Sequence, residues 1–380
     1  MESVIRKIQM VDLKGQYKKI KNEVDTAIQN VLDSTAFING PEVKAFATEL
    51  ETYLSVKHVI PCANGTDALQ IAMMASGLSP GDEVITADFT YAATAEVIAL
   101  LGLNPVLADV DPDTFEMDVK AVEKAITSKT KAIVPVHLFG QCAEMSELIK
   151  LAKQHHLLII EDAAQAIHAD YIFPDGSRKK AGTIGNLGCT SFFPSKNLGC
   201  FGDGGAIFTN DDELAKKCRM IANHGQSIQY YHDAIGVNSR LDSIQAAILR
   251  IKLRHLDEYT IARNMAASVY DKAFANNSKI KTPVRVKNST HVFHQYTLCL
   301  NHVDRLQLKE YLSSKDIPAM IYYPIPLHLQ KAYHDPRYKK GDFPVTERLC
   351  DSVISLPMHT ELDNDTLKYI TDSVLEFVGS

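Results

Sequence analysis

From about residue 59 to residue 209 short apolar runs alternate with stretches of helical periodicity, and this alternation constrains the fold more than any other feature of the chain. Apolar strands separated by amphipathic helices pair in parallel, because a parallel neighbour is reached only through a long crossover. Strands are expected at 84–87, 105–110, 132–136, 157–161, 189–193 and 206–209, with helices at 67–75, 94–101, 119–126 and 144–155. Beyond residue 240 the texture changes to one long charged helical stretch reaching about 274. Strand-like pieces at 292–300 and 319–323, a helix near 305–314 and a terminal helix at 365–378 follow it. The expected fold class is α/β: a large domain over 1–245 built on a mostly parallel sheet, and a smaller α+β domain over 246–380.

The chain's 380 residues suffice for two such domains. Its 40 basic and 46 acidic side chains give a net charge of −6, which offers no basic face for nucleic acid. Seven scattered cysteines lack any C-x-x-C pair, so reduced thiols in a cytoplasmic protein are expected rather than disulfides or a zinc ribbon. No apolar run is long enough to span a bilayer, and no membrane role is expected.

Within the alternating region Lys196 is the only basic residue between Lys180 and Lys216, in a stretch rich in glycine and aromatics. Desolvation there would push its amine toward the nucleophilic free base. Thirty-four residues earlier the run Leu157-Leu-Ile-Ile-Glu161-Asp162 reads as a buried strand carrying Asp162 at its carboxyl end, where open α/β sheets bind ligands. An amine and a carboxylate so placed suit pyridoxal phosphate, which needs one for its aldehyde and the other for its ring nitrogen. A helix-cap or turn aspartate is the alternative for Asp162.

Asn64-Gly65-Thr66-Asp67 opens a helix, so its amides could cradle a phosphate or simply form an N-cap. Tyr91 follows a strand end and could stack on a flat ring or pack in the core. Arg240 could clamp a carboxylate, or pair with Asp242 or Asp233. Gly182-x-x-Gly185-x-x-Gly188 has the wrong spacing for a dinucleotide loop and precedes a strand. The acidic run Asp109-Val-Asp111-Pro-Asp113 lacks the glycine and glutamate of a calcium loop, and His155 and His156 suit a helix end, so no metal site is expected.

Five segments together carry a family resemblance: Asn64-Gly-Thr-Asp-Ala-Leu, Glu161-Asp-Ala-Ala-Gln165, Ser191-Phe-Phe-Pro-Ser-Lys196, Gly202-Asp-Gly-Gly-Ala and Gly236-Val-Asn-Ser-Arg240-Leu-Asp. In this order they resemble the pyridoxal-phosphate nucleotide-sugar aminotransferases of the DegT/DnrJ/EryC1/StrS family. The resemblance implies an aspartate-aminotransferase-like fold of type I and a homodimer with shared active sites. It implies Lys196 as the lysine that binds the cofactor aldehyde and Asp162 as the ring-nitrogen partner. Gln165 would touch the ring oxygen, Gly65, Thr66 and Ser191 would hold the phosphate, and Tyr91 would stack. Asn238 would reach in from the partner subunit. The reaction implied is ping-pong transamination from L-glutamate to a nucleotide-linked keto-sugar.

Ser191-Phe-Phe-Pro-Ser-Lys, His224-Gly-Gln and Tyr323-Pro-Ile-Pro-Leu resemble, within the family, enzymes that aminate C3 of UDP-2-acetamido-2-deoxy-3-oxo-glucuronate for surface polysaccharides such as O-antigen or capsule. Those enzymes carry His-Tyr-Pro where this chain has Tyr322-Tyr323-Pro324. Tyr322, Tyr323 and Arg240 are therefore the expected sugar and carboxylate contacts. A different 3-keto or 4-keto sugar linked to dTDP or UDP is the alternative substrate, and a non-catalytic regulatory protein on the same fold is the remaining reading.

Overall fold

The computed structural model describes residues 8–379. Two helices come first, α1 (Leu13–Ser34) and α2 (Pro41–Leu54), then β1 (His58–Cys62) and α3 (Gly65–Ala75). Strand and helix alternate through β2 (Glu83–Ala87), α4 (Ala93–Leu100), β3 (Asn104–Ala108), α5 (Val119–Ala125), β4 (Thr130–Val134), α6 (Met145–His155) and β5 (Leu158–Asp162). A short hairpin of β6 (Asp170–Ile172) and β7 (Arg178–Lys180) precedes β8 (Leu187–Ser191) and β9 (Gly205–Thr209). The main sheet has seven strands in the order β1-β9-β8-β5-β4-β2-β3, and β9 runs antiparallel to both of its neighbours. Helices cover both faces. Ile85, Ile133 and Ile159 enter one core while Val84, Ala132 and Ile160 enter the other, the two-residue alternation of a sheet buried on both sides.

The strand expected at 105–110 stops at Ala108, because the Asp111 carboxylate accepts the Asp113 and Thr114 amides at 2.8 and 2.9 Å and turns the chain. Next come α7 (Asp212–Ala222), the hairpin β10 (Gln226–Ile228) with β11 (Tyr231–His232), α8 (Ser243–Arg254) and α9 (Leu256–Phe274). The expected single helix to 274 is thus two, broken at His255. Each half serves a different core. Ile248 and Ile251 of α8 pack on Ile20 and Val24 of α1, whereas Ala266, Tyr270 and Phe274 of α9 pack among the residues of a second sheet.

That second sheet is antiparallel, β12 (Ile280–Lys281), β13 (Tyr296–Leu300) and β14 (Val353–Leu356), covered by α10 (Arg305–Ser314), α11 (Pro344–Ser352) and α12 (Asn364–Gly379). Two expected strands are shorter or missing here. Of 292–300 only β13 forms, since the Val292 and His294 amides bond instead to Gly140 and Phe139 carbonyls at 2.8 Å each. Of 319–323 only Met320 pairs, as an isolated bridge to Ser355. No described helix is long and apolar enough to cross a membrane.

The glycine-spaced segment 182–188 has a structural task. It wraps the buried Glu161 carboxylate, which accepts the Gly182, Ile184 and Gly185 amides at 2.9, 2.6 and 2.6 Å and His137 Nε2 at 2.8 Å. His137 Nδ1 accepts the Ala143 amide at 3.1 Å, so the ring proton resides on Nε2 and points at Glu161. Gly188 is required because a Cβ there would lie 1.9 Å from the Gly182 carbonyl oxygen. Glu161→Ala would strand all four donors at once, a loss of about 3–5 kcal/mol. Thermal and denaturant unfolding should show a marked drop for Glu161→Ala and a smaller one for Glu161→Gln, which keeps an acceptor in place.

Candidate active site

β5 and β8 pair in parallel with Asp162 opposite Cys189, so their carboxyl ends emerge side by side. Asp162, 7% exposed, lies at the floor of the cleft this creates. Its Oδ2 accepts the Thr94 hydroxyl at 2.8 Å and its Oδ1 the Ala164 amide at 3.1 Å, which fixes the carboxylate plane. Thr94 was not legible as a site residue. It occupies the first turn of α4, three residues after Tyr91, and only the fold, which sets that turn beside the end of β5, makes its hydroxyl a partner.

Lys196 follows β8 in the loop 192–204. Desolvation by the surrounding protein pushes its pKa down to about 8, against the opposing pull of the Asp162 carboxylate. At pH 7 the free amine is therefore on the order of 300-fold more abundant than for an ordinary lysine. An amine in this state is a nucleophile.

The amino end of α3 adjoins the same strand ends. Asn64 caps it by accepting the Asp67 amide at 2.8 Å, while the Gly65 and Thr66 amides have no acceptor among the described residues. Gly65 lies so close to β8 that a Cβ would fall 2.7 Å from Ser191 Cβ. Two free amides at a helix amino terminus, where anions bind, thus lie beside Ser191, whose Oγ accepts the Phe193 amide at 3.2 Å.

Gln165 spans the cleft wall. Its Oε1 accepts the Phe139 amide at 2.7 Å and its Nε2 donates to Tyr323 Oη at 3.3 Å. Tyr91, 62% exposed, stands with its ring centroid 6.2 Å from that of Tyr323, at the cleft mouth rather than in the core. Tyr322 is half-buried beside Tyr323, the two ring centroids 6.0 Å apart. The structure therefore gathers Asp162, Lys196, Gly65, Thr66, Ser191, Gln165, Tyr91 and Tyr323 around one cleft. Asn238 is exposed. Arg240 is half-buried and forms no ion pair with Asp242, Asp233 or any other described residue. Sequence reasoning also missed His294, which the fold brings to Lys196 from almost a hundred residues away.

The whole chain matches relatives of known sequence and structure. Residues 18–375 match the model of the DegT/DnrJ/EryC1/StrS aminotransferase family. The chain belongs to that family. The aminotransferase is 46% identical over 96% of its length to UDP-2-acetamido-2-deoxy-3-oxo-D-glucuronate aminotransferase of Pseudomonas aeruginosa, covering 98% of that protein. It is also 46% identical over 97% of its length to a "pleiotropic regulatory protein" of Geobacillus stearothermophilus, again covering 98%. Among solved structures, NtdA of Bacillus subtilis with its cofactor PMP bound superposes with a TM-score of 0.87 at 29% identity, over 95% of this chain and 82% of that one. The fold is that of type I pyridoxal-phosphate enzymes, and pyridoxal phosphate is the cofactor of this aminotransferase family.

The residues present fit that cofactor. The cradle at Gly65, Thr66 and Ser191 suits its phosphate, Asp162 its ring nitrogen and the free amine of Lys196 its aldehyde. Two substitutions separate these contributions. Thr94→Val removes one hydrogen bond to the Asp162 carboxylate, about 1.5–3 kcal/mol, and should weaken cofactor affinity by roughly 10- to 100-fold in a fluorescence titration. Gly65→Val intrudes on Ser191 and should weaken pyridoxal phosphate binding strongly while leaving capture of phosphate-free pyridoxal nearly unchanged.

Proposed function

We propose that the enzyme transfers the amino group of L-glutamate to the C3 keto group of UDP-2-acetamido-2-deoxy-3-oxo-glucuronate, acting as a cytoplasmic homodimer with shared active sites in surface polysaccharide biosynthesis. The convergence of a depressed-pKa lysine, a fixed carboxylate and an anion cradle on one cleft carries the chemistry. The 46% identity to the Pseudomonas aeruginosa enzyme supports the substrate.

The bound cofactor supplies an aldehyde that captures amines and a protonated ring that accepts the electron pair released when the substrate α-carbon loses its proton. With the cofactor bound, Lys196 would hold its aldehyde and, when released, would be the base positioned to move the proton of the substrate α-carbon, which its pKa of about 8 permits near neutral pH. Asp162, oriented by Thr94 and Ala164, would keep the ring nitrogen protonated. Gln165 and Tyr91 would position the ring. The same residues would serve both directions, release of 2-oxoglutarate with uptake of water and amination of the sugar's keto carbon with loss of water. Arg240, with no internal counter-ion, is available for the carboxylate of glutamate or of the uronate, and Asn238 is exposed as a contribution across the dimer requires.

Tyr322 in place of histidine favours a second reading, a UDP- or dTDP-linked 3-keto or 4-keto deoxysugar. A purely regulatory role does not account for a complete set of Asp162, Gln165, Ser191 and Lys196.

The purified protein should be yellow, lose its cofactor absorption band in Lys196→Ala, and be bleached by glutamate; protein that takes up no cofactor would sink the proposal. Asp162→Asn should keep the cofactor but lose most turnover, and near-normal turnover would refute the role of Asp162. Glutamate-dependent assays on UDP- and dTDP-linked 3-keto and 4-keto sugars, with products resolved by NMR, decide the substrate. If the uronate is the substrate, Tyr322→His should preserve or raise its kcat/KM.

A further inference from the structure

Lys196 stands in a loop that closes on itself. The Lys196 amide donates to the Phe193 carbonyl and the Cys200 amide to the Phe192 carbonyl, at 2.8 Å each, so the chain from 192 to 200 returns to its own start with the lysine at the bend. The closure is tight: a Cβ at Gly199 would fall 2.4 Å from the Pro194 carbonyl oxygen and 2.8 Å from that of Phe193. Gly199 therefore packs against the same carbonyl that anchors the Lys196 amide. Whatever fixes Gly199 also fixes the turn that carries the amine.

Two side chains of α8 grip this returning limb. Lys252 donates from Nζ to the Gly199 carbonyl, and Gln245 Oε1 accepts the Phe201 amide at 2.8 Å. Seven residues apart, they lie on one face of α8 about two turns from each other. Lys252 is 1% exposed, its Nζ lies 5.6 Å from the centroid of the Phe201 ring, and it forms no ion pair with any described residue. An ammonium buried without a carboxylate is a costly placement that a methionine or leucine would avoid. What the lysine supplies, and an apolar residue does not, is the bond to Gly199. Burial lowers its pKa to about 8, which still leaves the ammonium in excess at pH 7.

We infer that Lys252 is a positioning residue for Lys196: from α8, and together with Gln245, it holds the returning limb of the loop and so sets where the reactive amine stands. The inference rests on the reading of Lys196 as the cofactor-binding amine. It distinguishes Lys252 from a lysine that merely packs in the core, whose loss would change stability without changing how fast Lys196 captures an aldehyde already bound.

The test follows capture of pyridoxal phosphate by apoenzyme at one pH over a series of cofactor concentrations. The Lys196 amine adds to the aldehyde carbon, the carbonyl oxygen leaves as water, and borohydride then delivers hydride to that carbon while the nitrogen takes a proton from solvent, giving a secondary amine located by peptide mass mapping. The half-saturating concentration reports the sites that bind the cofactor, and the maximal rate reports the placement of the amine. Lys252→Met, which replaces a buried charge by an apolar chain of similar length, should keep a cooperative thermal melt and leave the half-saturating concentration within about twofold, yet lower the maximal rate about tenfold or more. Gln245→Ala, at a half-buried position, should lower it in the same way by about threefold. Maximal rates for both variants that match the unsubstituted protein, in chains that melts show to be folded, overturn the inference. A weaker half-saturation with an unchanged maximal rate overturns it too, since the loop would then hold the cofactor rather than place the amine. If Lys252→Met does not fold, Gln245→Ala decides alone. No adduct at Lys196 in the unsubstituted protein refutes the reading of Lys196 itself, and this inference with it.

Discussion

The parallel pairing of β5 with β8 is the constraint on which the site depends. With Ile160 opposite Leu187, Glu161 opposite Gly188 and Asp162 opposite Cys189, the register sets the carboxyl ends of two buried strands level with each other. Asp162 therefore ends one strand where Ser191 and the Lys196 loop leave the next. A slip of one residue would turn every side chain of β5 to the opposite face and bury Asp162 where Glu161 now lies.

That alternation explains why two carboxylates in succession have different tasks. Glu161 and Asp162 point to opposite sides of the sheet. Glu161 enters the protein, where four donors satisfy it and leave it nothing further to bind. Asp162 keeps two oxygens that each accept one internal hydrogen bond, with lone pairs left over for a ligand. The first carboxylate holds β5 against the loop before β8, and so maintains the register that places the second.

Much of this was legible in the sequence, for physical reasons that also mark where legibility ended. Strands such as β2 and β4 announce themselves because burial on both faces demands unbroken apolar runs, and α3 because a capping asparagine precedes its glycine. Lys196 and Asp162 stood out as polar residues in places where solvation is costly. The stretches 292–294 and 319–323 read as strand because Val292, Phe293, Ile321, Tyr322 and Tyr323 are β-branched or aromatic, yet the backbone groups of Val292 and His294 are spent on Gly140 and Phe139 and Met320 makes a single bridge. The break at His255 has no glycine or proline to signal it, since it is dictated by the two cores that α8 and α9 must face. Thr94 and His294 carry no local signal at all; tertiary packing alone makes them neighbours of Asp162 and Lys196.

The C-terminal part of the chain meets the first sheet and its loops through Tyr323 at Gln165, through His328 at Asp88 and through the segment around His294, and the last two are electrostatically opposite. At one, the His328 amide and ring Nδ1 bond to the Asp88 carboxylate at 2.8 and 2.6 Å while Nε2 lies 3.2 Å from Glu347. Burial opposes the charge on His328, but two carboxylates outweigh it and raise its pKa. The His328 ring thus ties residue 328 to the end of β2, three residues before Tyr91, between two carboxyl groups. At the other, burial first and then the charges of Lys196 and Arg263 hold the His294 pKa well below its ordinary value. One histidine lies between carboxyl groups and the other among cations, and the two are shifted in opposite directions. Were the two environments exchanged, Lys196 would gain two carboxylates and hold its proton, and the cleft would keep its shape while losing its nucleophile.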